Sequence, residues 1–533
     1  MVATNSRNLK RIVVSASSVL TLIFLMCGFS SYANADSEVF NVKSYGAVGD
    51  GRKRCTTAIQ KAIDVCAVRG GGCVYFPPGS YLTGTLILKS NVTLKLEAGA
   101  TLLGSKDLSD YEPPYLIYAK DARNISIRGG GSVNGQGEIF WRGKRRPYKR
   151  PSKMIQLEDC RDVRIEGITL TNSPNWTLNL TRCDWVFIDG ITIRNFREAP
   201  NTDGIDPSSS SNVFISNCYI DTGDDAICLK SHETDKPCEN IVVTNCVLIS
   251  DDSAIKCGTA SEGSIRHCVF SNIVIRNTQF GIAFYMKDGG SYEDIQFSNI
   301  NIETTMLAET DKGGRNIFPV FMDIEPRNAT TALGTIRNIV FRDITIKTQN
   351  GNCLIQGAKD KPLEDITLQN VRMRVLSRVD FSGRTKPRGT RTLKERAPND
   401  YADVPADFTF AYIKGLTLGN LFIRDEVEST THERHAIWGL DLEDVTLSSL
   451  SLRQAALNER LALLLFRNSK NVLVRGSHAI RSNAAFLRLE GKQTDNVVVI
   501  DGNLPGVEKI IERGADVAGR VYLQSDSNRS VHK

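Results

Sequence analysis

A recurring unit constrains this chain more than any other feature. Short apolar runs return along it, most of them opened by a polar residue: Asn91-Val92, Asn124-Ile125, Asp162-Val163, Trp185-Val186, Asn212-Val213, Asn240-Ile241, Ser264-Ile265, Asp294-Ile295, Asn338-Ile339 and Asp365-Ile366. The central spacings are 23, 27, 28, 24 and 30 residues, within the roughly 20 to 50 residues of a solenoid repeat. Each unit alternates apolar and polar positions, as in Val213-Phe214-Ile215, and adds a second run such as Val247-Leu248-Ile249. Alternation sends successive side chains to opposite faces of a strand. A sandwich would turn about every 8 to 12 residues and carry more hairpin signals. The repeat therefore predicts an all-β chain of parallel coils stacked on one elongated core.

The ends and the interruption fit that plan. Residues 36–90 read as an N-terminal cap and first coils. They include a helix from Thr56 to Val68 with Ile59, Ala62, Ile63 and Cys66 on one face, ended by Gly70-Gly71-Gly72. Such a helix covers the first coil, whose apolar core and strand edges would otherwise be exposed. Residues 91–533 read as the solenoid, broken from about Asp380 to Phe408 by a stretch rich in Arg, Lys, Pro and Asp and without periodicity, which predicts a long loop. Gly415-Leu416, Asp444-Val445, Asn471-Val472 and Asn496-Val497 resume the rhythm.

Residues 1–35 have the pattern of a secretory signal: Arg7, Lys10 and Arg11, an apolar run from Ile12 to Phe29, then Ala33-Asn34-Ala35 before Asp36. Cleavage after Ala35 predicts a secreted or periplasmic monomer with no remaining membrane contact. Its loss removes three basic residues and no acidic one, taking the formal net charge from +6 to +3. That balance gives no reason to expect nucleic acid as partner. Of the remaining cysteines, Cys66 and Cys73 flank a Gly-rich turn and could pair, whereas Cys160, Cys183, Cys218, Cys246 and Cys268 recur with the repeat and predict a buried column of free thiols. No Cys/His spacing suggests zinc, and no cofactor is expected.

Four carboxylates fall in the middle of the repeat, in Asn201-Thr202-Asp203-Gly204-Ile205-Asp206 and Gly223-Asp224-Asp225-Ala226-Ile227. Asp203 and Asp224 are 21 residues apart, about one coil, so both segments can face one cleft across strands spaced about 4.8 Å. Adjacent Asp224 and Asp225 can share that cleft only where the backbone bends, and Gly223 is read as supplying the freedom. Like charges this close cannot all ionise at their ordinary pKa, so one carboxyl can hold a proton while another acts as base. Cleavage of a glycosidic bond uses that division.

These segments resemble the active-site signature of the polygalacturonase-like glycoside hydrolases of family 28. Tyr45-Gly46-Ala47-Val48-Gly49-Asp50-Gly51 resembles the family's opening, and Ser173-Pro174-Asn175-Trp176-Thr177 its segment before the catalytic coils. The likeness spans roughly residues 40–375 and implies a right-handed parallel β-helix, an inverting mechanism and a pectic polysaccharide or oligosaccharide as substrate. It implies Asp224 as general acid, with Asp203 and Asp225 positioning and deprotonating water. Two departures stand out. The family's Gly-His-Gly is replaced by Asp252-Ser253-Ala254-Ile255-Lys256, with Ser253 read at the histidine position. Its Arg-x-Lys is replaced by Gly281-Ile282-Ala283-Phe284-Tyr285-Met286-Lys287, which has no Arg. The acid chemistry is retained, but a weaker hold on galacturonate is expected, with branched or rhamnose-containing pectin favoured.

Asn201, Lys256, Tyr285 and Lys287 are the expected substrate-binding residues, Lys287 first among the lysines. The basic stretch from Arg142 to Arg150 could meet an acidic polysaccharide or be a solvated loop, as could Arg384, Lys386, Arg388 and Arg391. His267, on an alternating strand beside Cys268, is assigned a structural use. Three further readings remain: a rhamnogalacturonan-type hydrolase, a calcium-dependent polysaccharide lyase using the aspartates as ligands, and a non-catalytic glycan-binding β-helix.

Overall fold

The structure, a computed structural model, describes residues 38–524 except 145–146, 306–316, 350–352, 378–405, 428–433, 454–457, 481–482, 501–503 and 505–506. The expected signal sequence, residues 380–405 of the expected loop and the four basic residues within it lie outside the described residues. The chain divides into two units, Met1–Glu38 and Val39–Lys533, and the coils and the cleft belong to the second. No helix among the described residues is long and apolar enough to cross a membrane.

Among the described residues forty-one strands join in one continuous sheet system, a right-handed parallel β-helix. In the central N-terminal coils each strand pairs with the third one along, so three strands make a coil. Between Ser264 and Ser448 two of the three merge into longer runs such as Ser264–Thr278, which bends at Asn272 with φ of 55°. The face that carries the site is built from β1 (Trp176–Thr181), β2 (Ile205–Ser208), β3 (Ile227–Ser231), β4 (Ser253–Ser261), β5 (Phe280–Met286) and β6 (Phe318–Ile324), each in parallel register with the next.

Alternation explains why these segments stack. Leu178, Ile205, Ile227, Ile255, Ile282 and Val320 lie in register through the six strands and are buried in the core. Burying such a side chain contributes about 1.5 to 3 kcal/mol. On another face Phe270, Phe297 and Phe341 stack with centroids 4.9 and 5.1 Å apart. An unpartnered coil would leave each of these surfaces wet.

Corners are made by the polar residues that open the runs. Asn91, Asn124, Asp162, Trp185, Asn212, Asn240, Asp294, Asn338 and Asp365 have φ between 50 and 64°, the left-handed region that Asn and Asp tolerate better than other side-chain-bearing residues. Their side chains link coil to coil, as in Asn240 Nδ2 to Asn212 Oδ1 (3.1 Å) and Asn338 Nδ2 to Asp294 Oδ1 (2.6 Å). Ser264 opens its strand as read, but the corner lies three residues further on. His267, not Ser264, has the positive φ (53°), because Cys268 pairs with Ile295 and so sets His267 opposite Asp294. The corner then falls 27 residues from both Asn240 and Asp294, which removes the irregular spacings of 24 and 30.

Helix α1 (Thr56–Val68) buries Ile59, Ala62, Ile63 and Cys66 against the first strands and ends before Gly70, Gly71 and Gly72, all at positive φ. The twelve described cysteines are free and buried. Cys66 and Cys73 do not pair: Cys66 packs inside the core, whereas Val74 takes the inward position of its strand and turns Cys73 to the other face. The recurring thiols do not form one column either, since Cys160 and Cys183 sit beside each other at one corner and Cys218 and Cys246 at another. The interruption also ends earlier than expected. A strand already runs from Ala406 to Gly419, with Phe408 paired to Cys353, so Asp407 and Phe408 belong to a coil.

Candidate active site

On β3, Ile227 and Leu229 face the core, so Cys228 and Lys230 face outward; on β4, Ile255 and Cys257 face inward and Lys256 outward. The residues just before β2 and β3 carry the aspartates to the same side. Asp203, Asp224, Asp225, Asn201, Lys256, Tyr285 and Lys287 all line one cleft of about 930 Å³.

Backbone bonds fix the aspartates. Thr177 donates to the Asp203 carbonyl (2.8 Å) and Gly204 to the Asp225 carbonyl (2.9 Å). The bend at Asp224 is held by the hydroxyls of Thr222 and Ser250, which donate to its carbonyl at 2.6 and 2.8 Å. Gly223 serves this bend differently from the expectation. A Cβ there would lie 2.4 to 2.7 Å from the carbonyl oxygens of Ala199, Phe196 and Arg197. The glycine is needed for close approach of segment 196–199, not for a left-handed φ.

One oxygen each from Asp224, Asp225 and Asp252 lies within 4.8 Å of the others, and Asp203 and Asp225 approach within the same limit. The Asp224 carboxyl is aimed by two amides, Asn201 N–H to Oδ2 (3.1 Å) and Asp225 N–H to Oδ1 (3.1 Å). Asn201 is itself set at φ of 57° and accepts from Arg150 Nη2 (2.9 Å). Arg150 also donates to the carbonyls of Pro174 and Pro200, so this end of the basic stretch braces the site. Arg142, at the other end, pairs with Glu198 (3.0 Å) and packs on Phe196.

Asp203 is 4% exposed, and its Oδ1 has no hydrogen-bond partner. Burial, reinforced by Asp206 and Asp224, pushes its pKa well above the carboxylate range against the pull of Lys230. Lys230 Nζ lies 2.8 Å from Asp206 Oδ1, 3.5 Å from Asp203 Oδ2, and over the Trp176 ring at 4.4 Å. Burial opposes the Lys230 charge, but Asp206, Cys228 and Asp203 outweigh it and raise its pKa well above the ordinary value. Lys256 Nζ reaches Asp225 Oδ2 at 2.6 Å and lies over Tyr285 at 5.4 Å. The Tyr285 ring packs on Phe321 at 4.8 Å. Lys287 Nζ meets Glu325 Oε2 at 2.7 Å.

Ser253 is buried and donates to Asp252 Oδ1 (3.2 Å), and it is Asp252 that lines the cleft. His267 lies elsewhere, exposed at its corner with Nε2 3.4 Å from Asp294. The sequence reading also missed Lys230, His232, Glu262, Asp288 and Arg327 as cleft residues. Strand parity would have exposed Lys230, a charge two residues after outward Cys228 and directly after inward Leu229. Nothing local marks Arg327, which reaches the cleft only because β6 stacks on β5 across a long insertion.

Fold and cleft together define a β-helical glycoside hydrolase, with acids able to exchange a proton and lysines close enough to balance them. The chain belongs to the glycosyl hydrolases family 28, whose profile matches residues 73–384. It is 29% identical over 369 residues to a probable polygalacturonase of Vitis vinifera, covering 63% of this chain and 74% of the relative. It is 26% identical over 405 residues to an exopolygalacturonase of Zea mays, covering 69% and 92%. Among solved structures, a hyperthermoactive exopolygalacturonase from Thermotoga maritima superposes with a TM-score of 0.59 at 22% identity, over 73% of this chain and 92% of that one. That last likeness shows the shared fold.

Proposed function

We propose that this protein is a secreted, monomeric hydrolase that cleaves glycosidic bonds of a pectic polysaccharide or oligosaccharide, with Asp224 as general acid and Asp203 and Asp225 activating water. The observation that carries the reading is the convergence of Asp203, Asp224 and Asp225 in one cleft, with family membership beside it. Asp224 is held by Asn201 and Asp225 amides toward the cleft, where it can protonate a leaving oxygen. Asp225, paired to Lys256, is placed to take the proton of water, and Asp203, near Lys230 and with its neutral form favoured by burial, to position that water. The same lysines supply positive charge beside these carboxylates, which favours a hydrolase over a lyase that would hold a cation there. Secretion rests on the pattern of residues 1–35, and polygalacturonase names among the relatives support the pectic substrate.

Inversion rests on the family likeness. The nearest oxygens here, within 4.8 Å, are closer than the roughly 6.5 to 9.5 Å that separates the carboxyl groups in most inverting glycosidases. The anomer formed is therefore the informative measurement. Incubation with homogalacturonan, rhamnogalacturonan and short oligomers should release reducing ends, and proton NMR of the first product should show the inverted anomer. A retained anomer would remove the assignment of Asp203 and Asp225 to water. Unsaturated uronate absorbance would mean a lyase, and binding without new reducing ends a glycan-binding protein.

A further inference from the structure

The half of the cleft on the C-terminal side of the aspartates is lined by charge, and the cations described there are engaged. Lys256 is held by Asp225 and Lys287 by Glu325. Arg327 grips Asp288 through Nε and Nη2, with Nη2 2.7 Å from Oδ2, and the same Nη2 donates to the Thr259 carbonyl at 2.7 Å. Burial works against the Asp288 anion, yet the Arg327 contact holds its pKa below the ordinary value.

Two of these acceptors cannot turn away to solvent: Asp225 is 2% exposed and Glu325 1%. Pulling Lys256 or Lys287 from its partner would strand a buried anion, which is strongly unfavourable. Asp252 and Glu262 add further negative charge to the wall. An incoming carboxylate would thus meet cations already balanced and acids that repel it. An uncharged ring avoids that repulsion, can hydrogen-bond to the same ammonium and carboxylate groups, and can rest its C–H face on Tyr285. Discrimination of this kind comes from the unfavourable contact as much as from the favourable one.

Building on the pectic-hydrolase reading, we propose that this half of the cleft accepts an uncharged residue, a neutral sugar or an esterified uronate, and that Asp288 and Glu325 act as specificity-determining residues that exclude a free carboxylate by occupying Arg327 and Lys287. The proposal goes beyond the missing arginine of the sequence motif, since an arginine is present in the cleft and is withheld by its partner.

Three defined substrates test it on the intact enzyme: trigalacturonate, its methyl ester, and a rhamnogalacturonan oligomer. The ester or the rhamnogalacturonan oligomer should show kcat/KM at least about 10-fold above trigalacturonate, one charged contact being about that large. The ester arm and the rhamnose arm tell which uncharged group is taken. Asp288→Asn, which removes the charge from a side chain that is 8% exposed and also accepts from Ser261 N–H, should release Arg327 and move the ratio toward trigalacturonate by about 10-fold. A wild-type preference for trigalacturonate overturns the proposal while leaving the pectic reading intact. A ratio unmoved in folded Asp288→Asn removes the role given to Asp288. Cleavage of none of the three overturns the pectic reading and this subsite with it.

Discussion

Asp203 is an aspartate at the mouth of a coil whose surroundings give it a distinct thermodynamic signature. Burial, then Asp206 and Asp224, raise the Asp203 pKa from 3.8 to well above it. Between those two values the folded protein holds a proton that the unfolded chain has released. Stability therefore falls as pH rises through that interval, and the loss is complete above the raised value. Asp203→Asn should melt higher than wild type near neutral pH, by about 1.4 kcal/mol for each pKa unit relieved, with the gap closing as pH approaches 4. Its turnover should nevertheless drop, as should that of Asp224→Asn, by about 100-fold to 10,000-fold. Calorimetry at several pH values together with kcat checks both. An Asp203→Asn enzyme that melts lower at neutral pH would mean that its carboxylate is stabilised by contacts stronger than its burial penalty. The acids were legible from the sequence because a bend, a repeat and a cluster coincide there. Asp288 and Arg327 were not, because their position depends on register between strands whose intervening segments vary in length, whereas Lys230 was open to strand parity within its own strand and was overlooked.

At the scale of the coil, the corner residue sets the rhythm. His267 occupies a left-handed position at φ of 53° that Asn240 and Asp294 fill in the neighbouring coils. Asparagine tolerates that region better than most residues, which pay about 1 to 2 kcal/mol there. His267→Asn should leave kcat/KM within about twofold and raise stability by up to about 1 kcal/mol, seen as a higher denaturant midpoint. A tenfold loss of activity would instead give His267 a part in the chemistry. The strands themselves were readable from alternation, and helix α1 from its apolar face. The corner at His267 was not legible, because a polar residue before an apolar run, such as Ser264, marks a corner only when its backbone turns left-handed, which composition alone does not reveal. The merging of short strands into runs such as Ser264–Thr278 was likewise invisible, since Asn272 bends the chain without ending the ladder.

Across the whole molecule, cohesion comes from ladders and stacked side chains. The twelve described cysteines are free. Millimolar dithiothreitol should leave the melting midpoint unchanged. Loss of a native disulfide typically costs about 2 to 5 kcal/mol, so a drop of several degrees would reveal a covalent link. Parallel coils were legible from the period of the sequence, whereas the distribution of thiols over separate corners required knowing which of three faces each residue occupies.

The corner spacing of 27 residues on either side of His267 also bears on how such a gene can change length. Adding or deleting one residue inside a strand reverses which side chains point inward beyond it. Adding a complete coil reverses nothing, because the new ladder presents the same aliphatic and asparagine rows to its neighbours. Growth or shortening in whole quanta is thus tolerated at the ends of the stack, while the stretch from β1 to β6 is the part in which no quantum can be inserted without parting the aspartates from their lysines.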